Sequence, residues 1–247
     1  MKINYATFAL LLISLFLINC SDQSSDLGAN WTSYASDKFS SKYSPLDQIN
    51  KENVKDLQMK WTWESPDNDL KEQFKFPVSI YQATPIAING ILYVSSSTAI
   101  VSAINGSTGQ TIWTYDPETY KSNAPAHGAY IHRGVSYWDD GKEGRIIVGT
   151  PDARLISLNA KDGSLVESFG KSGIVDLSQG LSRPFDASHY GISTPPIIAN
   201  NVIVIGASIT DASPQSMRPP GDVRGFDVKT GEQLWVFHTI PQAGEYG

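Results

Sequence analysis

Arg133, in the segment HRGVSYW, carries a planar guanidinium whose fork can meet a carboxylate with two hydrogen bonds. Asp139 and Asp140 follow closely in sequence, so the plain reading is a surface ion pair. Asp211, in GASITDA, stands just ahead of Ser213-Pro214, where an aspartate commonly caps a turn. His127, His132 and His189 fall in irregular stretches, and the 4 histidines have no tight spacing, so they make no zinc motif. His132, beside Arg133, is the best placed of them for chemistry. Cys20 is the only cysteine, which excludes a disulfide within the chain.

The elements that must position these groups are announced by a repeated phrase. Its copies are AINGSTGQTIW (Ala103 to Trp113), SLNAKDGSLVE (Ser157 to Glu167) and GFDVKTGEQLW (Gly225 to Trp235). Each joins a β-branched apolar run to a second strand-like run through a polar turn. Gly109, Gly163 and Gly231 recur at one turn position, which predicts a positive φ there. Trp61, Trp113 and Trp235 read as packing residues of the array, and Glu167 stands where the other copies have tryptophan. Upstream, PIAINGILYV and PPIIANNVIVI each read as strand, Asn-Gly or Asn-Asn turn, strand. One unit is therefore two hairpins, about four strands.

The glycines are 54 and 68 residues apart, longer than the roughly 40–50 residues of a common propeller blade. The excess falls in three irregular segments, 116–132, 168–193 and 210–222, where functional loops belong. LQMKWTWES alternates and reads as a strand, and PLDQINKENVKD can hold one short helical turn. No apolar stripe of helical period exceeds one or two turns, so the class is all-β. Tandem four-stranded units predict a β-propeller. Three to four blades rarely close a ring, so the expectation is the first part of a larger propeller.

The net charge of −6, without a basic cluster, excludes nucleic acid as a partner. Lys2 precedes a 13-residue apolar run, Ala6 to Ile18, which fits a signal segment better than a membrane span. The run ends in Leu-Ile-Asn-Cys and resembles a bacterial lipobox, with Asn19 where a small residue is usual. The expectation is a lipoprotein signal over 1–20 with lipidation at Cys20, a tether over 21–30, and the propeller portion over 31–247.

Several segments resemble, in order, the quinoprotein dehydrogenases that use pyrroloquinoline quinone (PQQ). They are YSPLDQIN, YQATP, LYVSSS, IWTYDPETY, HRGVSYW, RLISLNAKDG, STPPII, VIGASITD and GDVRGFDVKTGEQLWVFHT, with the repeated phrase as the tryptophan-docking motif. The resemblance is to the membrane-associated glucose dehydrogenase branch more than to methanol dehydrogenases, which carry adjacent cysteines where this chain has His127-Gly128. It implies an eight-bladed propeller, of which these are the first three to four blades.

It further implies that Arg133 holds a PQQ carboxylate and that Gln82, Ser208, Ile209, Thr210 and Thr150 line the cofactor. Asp211 would ligate Ca²⁺, although Ala212 follows where that branch can offer an amide. The general base and further metal ligands would come from later blades, outside this chain. The implied reaction oxidises a sugar or alcohol on the periplasmic side. Electrons would pass to a respiratory quinone or cytochrome c, and a lipid anchor would hold the protein at a membrane. The rival reading is a non-catalytic propeller lipoprotein, a scaffold for outer-membrane assembly, in which Arg133 has no role.

Overall fold

The computed structural model describes residues 30–37, 39–74, 80–122, 130–209 and 218–246. Cys20, His127, Thr210 and Asp211 lie outside the described residues, as do the expected signal segment and nearly all of the tether.

The strands are laid down as sheets in chain order. The first sheet is β1 (Ile86–Ile88), β2 (Ile91–Ser95), β3 (Val101–Asn105) and β4 (Thr111–Tyr115). The second is β5 (Ser136–Asp139), β6 (Gly144–Gly149), β7 (Arg154–Asn159) and β8 (Ile174–Asp176). Next come β9 (Tyr190–Gly191), β10 (Ile197–Ala199), β11 (Val202–Ile205), β12 (Ser208–Ile209), β13 (Val223–Asp227) and β14 (Gln233–Phe237). β10, β11, β13 and β14 form the third sheet, and β9 pairs with β12 as a separate ribbon. All ladders between these strands are antiparallel, and each sheet is an up-and-down meander, the blade expected from the two-hairpin unit. The Asn89-Gly90 and Asn200-Asn201 turns have positive φ at both central residues, as tight hairpins of this twist require.

The three turn glycines share one conformation, with φ of 74°, 74° and 73° at Gly109, Gly163 and Gly231. Each also lies beneath a neighbouring group, which explains why no side chain is tolerated. A Cβ on Gly109 would stand 2.6 Å from the Trp61 ring, and one on Gly163 would stand 2.5 Å from the Trp113 ring. The same tryptophans donate Nε1–H to the carbonyls of Gly106 (3.1 Å) and Ala160 (3.0 Å), three residues before those glycines. Trp113 is thereby caught between Ala103, its cross-strand partner, and the turn of the next blade. In the third copy the first residue is kept small by its own hairpin: a Cβ on Gly225 would meet the ring of its cross-strand partner Trp235 at 2.1 Å.

The middle copy departs from the pattern in two ways. Its second strand is broken. Leu165 bridges to Leu158, residues 167–173 loop out, and pairing resumes only at β8. Glu167 cannot dock as tryptophan does, and the loop takes over the role. Val175 and Phe169 approach the Gly231 position, and Gly170 N–H donates to Thr230 O at 2.7 Å. Arg145, on β6 and 5% exposed, supplies the missing donor to Val228 O (3.1 Å) and Lys229 O (2.9 Å). Its guanidinium also lies 5.4 Å from the Trp138 ring centroid.

LQMKWTWES is not a strand. Residues 57–65 pair with none of the described strands, and the segment instead lies along the first blade through Trp61 and through Trp63 Nε1–H to Thr111 Oγ1 at 3.0 Å. Alternation supplies a face to bury, but a strand also needs a hydrogen-bonding edge. The expected helical turn is a 3-10 turn at Val54–Asp56. A two-turn helix, α1 (Asp67–Phe74), follows Pro66 and carries Asp67 and Asp69 in its first turn. Buried Asp67 accepts from Ser97 N–H (2.7 Å) and Thr98 Oγ1–H (2.5 Å), which pins α1 to the β2–β3 turn.

The core lies between the blades. One cluster joins Ile86, Tyr93, Val101 and Trp113 of the first blade to Ile146, Val148, Ile156 and Leu158 of the second. The other joins Ile147, Leu155 and Phe169 to Ile203, Ile205 and Phe226 of the third. Each blade is buried by its neighbour, so face-to-face stacking drives the array.

Candidate functional site

The blades present two kinds of face. On one, first hairpins and repeat turns are tied together: Gly106 N–H to Gly90 O, Ala160 N–H to Gly144 O and Val228 N–H to Asn201 O, each 2.9 Å. On the other lie the β2–β3 and β6–β7 turns, the long β11–β13 connection and the links between blades. Gln82, Arg133, Thr150 and Ser208 all belong to this second face.

Three equivalent segments, one entering each blade, meet side by side. Thr84 N–H donates to Arg133 O (3.3 Å), and Arg133 N–H donates to Ser193 O (2.9 Å). This lateral ladder fixes the backbone of Arg133 from both sides. Its side chain is exposed, and Nη1–H donates to Ser193 Oγ at 2.8 Å. Ser193 Oγ in turn lies 3.2 Å from Ser208 Oγ. Ser208 reaches this place because β12 pairs with β9, two residues before Ser193.

The local acids do not neutralise Arg133. Asp140 pairs with Lys229 Nζ at 3.0 Å, and that hydrogen bond holds its carboxyl down at about 2. Asp139 accepts from Tyr137 Oη–H at 2.6 Å and from Gly141 N–H. Among the described residues, no carboxylate pairs with Arg133. A cation fixed in place, partly oriented by a serine and with further N–H groups to donate, is suited to receive a carboxylate.

The other expected residues divide. Gln82 is exposed, two residues before Thr84, on the rim of the same ladder. Thr150 is fully buried, and its hydroxyl is spent on its own turn: it donates to Asp152 Oδ1 (2.5 Å) and accepts from Arg154 N–H (3.1 Å). It builds the β6–β7 turn and presents no hydroxyl to a ligand. Ile209 sits in β12 beside Ser208. Thr210 and Asp211 lie outside the described residues, and among the described residues no cluster of acids or histidines has the make-up of a metal site.

His132 is a packing residue. It is fully buried, with Nε2 2.7 Å from Gly149 O and Nδ1 2.7 Å from Ser95 Oγ. A carbonyl can only accept, so Nε2 carries the proton and Nδ1 accepts from the serine. Burial pushes its pKa down from 6.5 to about 4, and the Arg133 charge adds to the effect. It clamps the first blade to the second as a neutral ring. Ser193 was not singled out by the sequence; its place beside Thr194-Pro195, matching Thr84-Pro85, was the available signal.

Stacked four-stranded blades, with an arginine exposed on the loop face, define a propeller segment. Residues 31–246 match the family described as "PQQ: Glucose/ethanol/alcohol dehydrogenase, beta-propeller domain", and the chain belongs to that family. It is 31% identical to quinoprotein glucose dehydrogenase A of Acinetobacter calcoaceticus, over 85% of this chain and 28% of that protein. It is 32% identical to the dehydrogenase subunit of an alcohol dehydrogenase (quinone) of Gluconobacter oxydans, over 88% and 26%. The crystal structure of a quinohemoprotein alcohol dehydrogenase from Comamonas testosteroni superposes with a TM-score of 0.68 at 29% identity, over 86% of this chain and 28% of that one. The chain thus spans under a third of the length of these relatives. Glucose and alcohol enzymes match equally well, so identity does not separate the two substrate classes.

Proposed function

We propose that the protein bearing this chain is a PQQ-dependent dehydrogenase that oxidises a sugar or alcohol hydroxyl, and that this chain supplies one wall of the cofactor site. The observation that carries the reading is Arg133, exposed on the blade-entry ladder and without an acidic partner among the described residues. PQQ, when bound, supplies the ortho-quinone that accepts the substrate's hydride. Arg133 would hold a carboxylate of the cofactor, and Ser193 would keep the guanidinium aimed. Ser208 would add a hydroxyl at the same edge, and Gln82 an uncharged amide at the rim. We extend the proposal to Ca²⁺, with Asp211 offering hard oxygen ligands. It also includes a lipid anchor at Cys20, a periplasmic setting, and a quinone or cytochrome c as electron acceptor.

The test is reconstitution of the full-length protein with PQQ and Ca²⁺, followed by dye reduction with glucose, ethanol and glycerol. Arg133→Ala should weaken PQQ binding by at least about tenfold, since a charge-assisted pair is removed. Unchanged PQQ binding in that variant would overturn the assignment and favour the scaffold reading.

A further inference from the structure

The lateral ladder holds Arg133 sideways, between Thr84 and Ser193. His132 holds the same segment from beneath. Its ring donates from Nε2 to Gly149 O (2.7 Å), at the end of β6, and its Nδ1 accepts from Ser95 Oγ–H (2.7 Å), at the end of β2. Nδ1 also lies 3.4 Å from the N of Gly134, which donates to it from the other side of Arg133 in the chain. One fully buried ring thus ties the residues on both sides of Arg133 to two blades.

Ser193, which accepts from Arg133 Nη1–H, is placed by the same stretch of the second blade. Ile192 N–H donates to Thr150 O at 2.9 Å. The approach is close: a Cβ on Gly149 would stand 2.4 Å from the Ile192 side chain, and one on Gly191 would stand 2.0 Å from Pro151 O. Gly149 and Thr150 therefore anchor His132 on one side and Ile192 on the other. The next residues, Arg133 and Ser193, meet across the separation that these two anchors set, with Nη1 2.8 Å from Oγ.

A histidine is not what the joint between blades itself demands. Ala83 and Ile192, which precede Thr84 and Ser193 in the flanking segments, are apolar. The polar anchor stands in the one segment of the three whose next residue is a cation. We propose that His132 is a positioning residue of the cofactor site: through its contacts to Gly149 and Ser95 it sets where the Arg133 guanidinium stands relative to Ser193, and hence how that fork meets a PQQ carboxylate. The inference rests on the role proposed above for Arg133 and adds the group that places this cation.

The experiment is an absorbance titration of the full-length apoprotein with PQQ, in the absence of substrate. His132→Leu keeps most of the bulk but removes both polar contacts, and should weaken PQQ binding by about fivefold. His132→Gln keeps an N–H donor for Gly149 O and should bind within about twofold of the wild type. In an Arg133→Ala background, His132→Leu should bring no further loss, because it acts through that cation. Ser95→Ala removes only the hydroxyl on Nδ1, should weaken binding by about threefold while Arg133 is present, and decides the matter if the leucine variant does not fold. Wild-type affinity in the leucine and Ser95 variants, equal losses in the glutamine and leucine variants, or a loss that persists in the Arg133→Ala background would sink this inference and leave the role of Arg133 standing. Unchanged binding in Arg133→Ala alone would overturn that role, and this inference with it.

Discussion

Gly163→Ala isolates the docking contact that holds one blade to the next. The position costs an L-residue twice. Its φ of 74° imposes about 1–2 kcal/mol for left-handed backbone. A Cβ would also stand 2.5 Å from Cε3 and 2.7 Å from Cδ2 of Trp113, so the ring must move. Moving it forfeits the Nε1–H bond to Ala160 O, about 1–3 kcal/mol when a buried group is left unpaired. The sum is about 2–5 kcal/mol. Gly90→Ala is the natural control. Its φ is 78°, and a Cβ there meets nothing within 4 Å, so only the backbone part applies. Urea unfolding followed by tryptophan fluorescence should therefore show Gly163→Ala costing about 1–3 kcal/mol more than Gly90→Ala. In a Trp113→Ala background the cost of Gly163→Ala should fall to the Gly90 value, because the obstructing ring is gone. Equal costs at the two glycines, or no change in that background, would refute the docking argument.

Two further predictions concern the blade interfaces. Arg145→Met removes both hydrogen bonds from Nη1 to the third repeat turn and should destabilise by about 2–3 kcal/mol, and Arg145→Lys should recover only part of this because an ammonium lacks the planar face that stacks on Trp138; full rescue by lysine in urea unfolding would contradict it. His132 makes stability fall with acid. The fold holds the ring neutral to about 4, while the unfolded chain protonates near 6.5. Its contribution is complete above 6.5, erodes as pH falls, and is lost through about 4, a total of about 3 kcal/mol. His132→Gln should flatten unfolding free energy between pH 7 and 4.5, and an unaltered slope would sink this account.

What repeats was readable from the residues, because each copy of the phrase votes for the same backbone. The recurrence of Gly109, Gly163 and Gly231 at one turn position required a positive φ there, and Asn-Gly and Asn-Asn marked the hairpins. What substitutes was not readable. Glu167 announced a lost tryptophan but not its replacement, since Arg145 arrives from another strand and Phe169 from a loop that interrupts the expected one. Residues 57–65 misled because period 2 reports a face and says nothing of a pairing edge. His132 misled because neighbours in sequence point to opposite sides: Arg133 outward to the loop face, His132 into the joint between blades. Ser193 acquires its role only from the lateral ladder, which no local pattern encodes.

The functional face follows from where the third blade stops imitating the first two. The β2–β3 and β6–β7 turns are the same device: Ser96 N–H to Ile100 O and Thr150 N–H to Arg154 O, each 2.8 Å, with Ala99 and Ala153 at φ of 65° and 64°. Such a turn consumes its own polar groups, which is why Thr150 has no hydroxyl to offer. In the third blade the corresponding connection runs from 206 to 222, and its described residues, 206–209 and 218–222, do not form that turn. Its first part becomes β12 and carries Ser208 to Ser193 and Arg133. A polar residue in a closed turn is therefore structural, as Thr150 is. Arg133 and Ser208, on the blade-entry ladder and not in such a turn, are the side chains whose removal should alter binding more than stability.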